Sequence, residues 1–102
     1  MSFQRISIQE TDFSLEAEAM LLRAQSSTTG ALVTFTGLVR DLHEGSEVSA
    51  LFLEHYPAMT EKSLETIINE AQTRWPLQGV TVIHRVGRLQ ASEQIVFVGV
   101  TS

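Results

Sequence analysis

Residues 31–40 read ALVTFTGLVR. Val33, Phe35, Gly37 and Val39 fall on one side of an extended chain, and Leu32, Thr34, Thr36 and Leu38 on the other. That alternation predicts a strand. The glycine inside it predicts a close approach by another part of the structure. After Arg40 comes DLHEGSE (41–47), polar with a central glycine, which predicts a loop. VSALFLEHY (48–56) then resumes the alternation, with Val48, Ala50 and Phe52 against Leu51, Leu53 and His55. Together the two segments predict a long antiparallel hairpin with a wide connection.

Outward from this pair, FQRISI (3–8) is a short strand candidate. Ser14 can cap a helix starting at Leu15, with Glu16 and Glu18 at its positive end and Leu15, Ala19 and Leu22 along one face. A second helix can start at Pro57, whose missing N–H is not needed in a first turn. Leu64, Ile67, Ile68, Ala71 and Trp75 give it a helical stripe, and Pro76 stops it. GVTVIHRVG (79–87) and EQIVFVGV (93–100) predict two more strands. The order is β-α-β-β-α-β-β, an α+β class with helices on one side of a mostly antiparallel sheet. Residues 1–102 read as a single domain.

Composition narrows the function. The 102 residues are 43% hydrophobic and 19% charged, which is ordinary for a folded chain. No apolar run reaches the roughly 18 residues that would span a bilayer, and the first residues lack the apolar region of a signal peptide. The absence of cysteine removes disulfides and thiolate nucleophiles, and it fits a cytoplasmic location. A net charge of −5 argues against a general nucleic-acid surface. A small anionic substrate needs only two or three placed cations, so it stays open. His43, His55 and His84 match no compact metal signature, and no metal site is expected.

Among single residues, Arg40 carries the most chemistry. It stands at a strand end beside a glycine-containing loop, where a rigid scaffold can display a guanidinium to a phosphate or carboxylate. Glu54 and His55, adjacent on a strand, face opposite ways and cannot act as one acid–base pair. His84 and Arg85 have the same geometry and read as structural. No catalytic triad spacing, phosphate-binding loop or dinucleotide fingerprint is present.

Three motifs taken together go further: FTGLVR (35–40), EHYPAMTEK (54–62) and VTVIHRVG (80–87), with IVFVGVTS (95–102) after them. In that order they resemble the catalytic (large) subunit family of molybdopterin synthase, the MoaE type, across Gly30 to Ser102. The resemblance implies an α/β hammerhead-type fold and a homodimer. It also implies that each end of the dimer takes a small ubiquitin-like sulfur-carrier subunit of the MoaD type, giving a heterotetramer. The carrier's C-terminal thiocarboxylate would deliver two sulfur atoms to cyclic pyranopterin monophosphate, forming the dithiolene of molybdopterin. No cofactor of the protein's own is implied. Leu38, Val39 and Arg40 match the family's substrate-contacting segment, with Arg40 on the pterin phosphate or the thiocarboxylate. Phe35 and Arg74 match positions near the family's active site.

The same comparison marks departures. The family continues past VGVTS with a His-Arg pair, a long helix and two lysines central to the chemistry. The one lysine here, Lys62, matches neither. The expectation is a C-terminally incomplete member, inactive alone, with no catalytic residue of its own before Ser102. Without that helix, the apolar face of IVFVGV is expected to lie uncovered. Ala91-Ser92 stands where the family has glycine, and is expected to form a turn without positive φ. Two other readings remain: a non-catalytic dimerising or carrier-binding module, and a general α+β domain for small anionic ligands.

Overall fold

The computed structural model describes residues 3–40, 50–53 and 57–102, with 50–53 and 57–58 described by backbone alone. The expected loop 41–47 lies outside the described residues, as do Val48, Glu54, His55 and Tyr56 of the expected following strand. The elements run β1 (Phe3–Gln9), α1 (Leu15–Arg23), β2 (Leu32–Leu38), β3 (Ala50–Leu53), α2 (Pro57–Arg74), β4 (Gly79–Arg85), β5 (Gly87–Gln90) and β6 (Gln94–Thr101). The α+β class stands. No described helix is long and apolar enough to cross a membrane.

Four strands form a mixed sheet in the order β1-β4-β6-β2, and β3 and β5 form a separate two-stranded ribbon. β1 runs parallel to β4, while β4–β6, β6–β2 and β3–β5 are antiparallel. The expected hairpin between 31–40 and 48–56 is therefore corrected. β2 pairs with β6 along its whole length, from Leu32↔Thr101 to Leu38↔Gln94, and β3 pairs with β5. β6 offers eight residues to pair, against four in β3.

Each helix takes its own face of the sheet, which corrects the expectation of helices on one side. Successive strand residues point to opposite faces, and β4 is apolar on both. Ile83 packs with Phe97 of β6 and Leu22 of α1, all three fully buried. Val80 and Val82, one residue out of phase, pack instead with Ile68 of α2. The α1 layer begins as its sequence suggests, with the Ser14 hydroxyl accepting the N–H of Ala17 at 3.1 Å. Gly99 lets that layer close: a Cβ there would overlap Leu22 Cδ1 and touch the Phe97 ring at 3.0 Å.

α2 spans less of its face. Leu64 and Ile68 reach the sheet, whereas Ile67 and Trp75 of the same stripe remain 61% and 56% exposed. The expected open face of β6 is also relocated. Phe97 is sealed under α1, and Val98 and Val100 pack against the α2 cluster. What stays open is the same face one strand further out, at Val33 and Phe35 of edge strand β2, 68% and 62% exposed.

Candidate functional site

The sheet places Arg40 at the end where β2 finishes and β6 begins. Its approach is shaped by a register shift. Gly37 faces Val96 but Leu38 faces Gln94, so Ile95 is an extra residue on β6. Such a bulge bends the ladder and re-aims the side chains beside it. Leu38 emerges 58% exposed and Val39 turns inward to 7%. Gly37 is needed in this bend, because a Cβ there would come within 2.7 Å of Val96 Cγ1. The close approach expected at this glycine is made by the neighbouring strand.

Val39 is held by its backbone. Its N–H donates to the carbonyl of Glu93 and its carbonyl accepts the N–H of Ser92, both at 2.8 Å. The next residue, Arg40, is exposed, and among the described residues its guanidinium has no ion-pair partner. A guanidinium on a fixed backbone can grip a phosphate or carboxylate through two parallel hydrogen bonds.

The anchoring turn, residues 90–93, is tightly built. Glu93 N–H donates to the Gln90 carbonyl at 3.1 Å, and the Glu93 carboxylate accepts Gln90 N–H at 2.6 Å. Ser92 sits at φ 74°, which corrects the expectation of a turn without positive φ. Only glycine enters that region without steric cost, so the serine is strained there.

The other proposed neighbours are spread out. Phe35 lies in mid-strand on the face shared with α2, its ring exposed. Arg74 ends α2 and pairs with Glu70 at 2.9 Å on the surface. It belongs to the opposite end of the sheet, where Gln78 N–H meets the Thr101 carbonyl and Phe3 N–H meets that of Gln78. At roughly 3.3 Å per residue, the length of β2 puts about 20 Å between those ends. Within one chain, Arg74 and Arg40 do not form a common site. A cleft of about 630 Å³ opens at the Arg74 end, walled by Phe3, Thr28, Trp75 and Gln78 among others. Among the described residues no charged side chain lines it, so these residues offer an anion nothing comparable to Arg40.

Two further groups were less legible. His84 is half-buried on the α2 face, with Nδ1 2.8 Å from the Arg85 carbonyl. Arg85 is buried on the α1 face at 5% exposure. Its sequence signal was a charge in phase with Thr81 and Ile83, since a charge on a covered face must find partners. Asp12, near it, has its carboxyl held below the usual value of 3.8, first by the Gln94 side-chain amide and then by the Phe13 N–H, with Arg85 adding a smaller pull. Among the described residues no group of three His, Asp or Glu is arranged to hold a metal ion.

A strand-end arginine on an α+β scaffold defines only a class, a domain able to receive small anions. Comparison with known proteins makes the assignment specific. The family model described as "MoaE protein" matches residues 8–102, and the chain belongs to that family. The molybdopterin synthase catalytic subunit of Vibrio cholerae is 56% identical over 98 residues, covering 96% of this chain and 65% of its own length. That of Pasteurella multocida is 55% identical over 102 residues, covering 100% and 67%. In structure, the molybdopterin biosynthesis MoaE protein of Burkholderia ambifaria superposes with a TM-score of 0.87 at 50% identity, covering 100% of this chain and 65% of that one. The chain thus spans about two thirds of the length of the relatives it matches.

Proposed function

We propose that this chain works as part of a molybdopterin synthase large subunit. In that role a thiocarboxylated small carrier subunit supplies sulfur, and cyclic pyranopterin monophosphate receives it to become the dithiolene of molybdopterin. The observation that carries the reading is Arg40: an exposed guanidinium with no ion-pair partner among the described residues, on a backbone anchored at Val39, in a member of the MoaE family. Its part is to bind and orient an anion, either the pterin phosphate or the carrier's terminal thiocarboxylate. Leu38, exposed beside it, offers an apolar contact, and Val39 serves as the anchor. Phe35, on the same strand, presents an open ring face for a planar ligand. The carrier subunit, the homodimer and the heterotetramer come to this reading through family membership, and a cytoplasmic location accords with it.

None of these residues is a nucleophile or an acid–base group, so the role derived for them is recognition and placement. The test is binding of cyclic pyranopterin monophosphate to the Arg40→Ala and Arg40→Lys variants. Hydrogen bonds to a charged group are worth about 1.5–3 kcal/mol, so Arg40→Ala should weaken binding by roughly 10- to 150-fold. Arg40→Lys should recover part of that, because it keeps the charge but not the fork. Unchanged affinity in Arg40→Ala would remove Arg40 from the substrate site.

A further inference from the structure

Behind Arg40 lies a polar cluster that the reading above leaves unused. Arg85 ends β4, and its side chain is 7% exposed. Nε and Nη2 both donate to the Glu10 carbonyl, at 3.2 and 2.9 Å. Nη1 donates to the Gln94 carbonyl at 2.9 Å and to Glu93 Oε1 at 3.4 Å, with Asp12 Oδ1 3.8 Å away. One buried cation therefore gathers the segment after β1 and the start of β6. Glu93 passes the constraint on: its second carboxylate oxygen closes the 90–93 turn on Gln90 N–H, and its carbonyl accepts the N–H of Val39. Val39 is the residue before Arg40. From Arg85 to Glu93 to Val39, every link is a hydrogen bond or an ion pair.

We propose that Arg85 and Glu93 are positioning residues for Arg40. They hold the turn to which the end of β2 is latched, and so set the point from which the Arg40 guanidinium reaches its anion. The inference rests on the reading of Arg40 given above. Its physical basis is that a long flexible side chain places its head group only as well as its backbone is fixed, and a displacement of about 1 Å at a binding group can cost up to about 100-fold. A purely structural Arg85–Glu93 pair would change stability and leave anion affinity alone.

The test uses the whole protein with Glu93→Gln, a substitution that keeps the shape at a side chain 38% exposed. Cyclic pyranopterin monophosphate is titrated against the parent, Glu93→Gln, Arg40→Ala and the double variant, and amide exchange is followed at Val39. Glu93→Gln should weaken binding by about tenfold, speed exchange at the Val39 N–H, and add nothing in the Arg40→Ala background. Where Arg40→Ala weakens binding, unchanged affinity in Glu93→Gln, or losses that multiply in the double variant, would overturn the proposal. If Arg40→Ala itself binds normally, the functional reading fails, and the positioning inference is then decided by exchange alone. Faster exchange at Val39 in Glu93→Gln sustains it; unchanged exchange ends it.

Discussion

Ser92 holds the carbonyl of Val39 through its backbone N–H at 2.8 Å, and does so from a left-handed conformation, φ 74°. The contact that anchors the candidate site is made by a residue in a region that costs an L-amino acid about 1–2 kcal/mol. Glycine would avoid that cost but gives back part of it in the unfolded chain. Ser92→Gly should therefore stabilise the fold by up to about 1 kcal/mol, read as a higher midpoint in thermal unfolding, with the Val39 amide still protected. A lower midpoint would show that the serine side chain contributes something beyond the turn.

Gly99 faces a different constraint. A methyl group there would meet Leu22 and Phe97, both fully buried under α1, and neither has room to withdraw. Overpacking of this kind costs about 1–3 kcal/mol. Gly99→Ala should lower the unfolding free energy by that amount, read as a lower midpoint of chemical denaturation with the slope unchanged. Full stability in the variant would mean that α1 rides on the sheet more loosely than its contacts indicate.

How far the sequence carried follows from what each pattern encodes. The alternation in ALVTFTGLVR marks β2 as a strand but says nothing about its partner, and nearness in the chain pointed to 48–56 instead of β6. An apolar stripe on a helix likewise shows that one side is buried, without saying against which face. That information lay in β4, where Val80, Val82 and Ile83 make an apolar run typical of a strand covered on both sides. The place of Arg40 just past the end of β2 was legible because a strand end is a local feature. The Arg85–Glu93 link was not, since it joins two residues through a fold that local pattern does not specify.

Asp12 gives the fold a pH dependence. Its carboxyl accepts from Gln94 Nε2 at 2.9 Å and from Phe13 N–H at 2.8 Å, and its pKa in the folded chain lies below 3.8. The stabilisation is present above that unfolded value and is lost as pH falls through the lower folded one. The side chain is 62% exposed, so the effect is small and screened by salt. Asp12→Asn should flatten the stability profile below about pH 4, in acid titrations followed by circular dichroism. An identical acid limb in both proteins would place the titrating group elsewhere.

Phe35 allows binding to be separated from packing. Its ring is 62% exposed, whereas Leu22 on the opposite face is fully buried. Leu22→Ala should cost about 2–5 kcal/mol, while Phe35→Ser should stay within about 0.5 kcal/mol of the parent, as an exposed substitution does. If the ring takes part in holding the planar pterin, Phe35→Ser loses precursor affinity at that nearly constant stability. That combination identifies a residue spent on a ligand instead of the core. A loss of stability above about 2 kcal/mol would show the ring buried in solution, and its exposure on β2 would then be the surface of an interface.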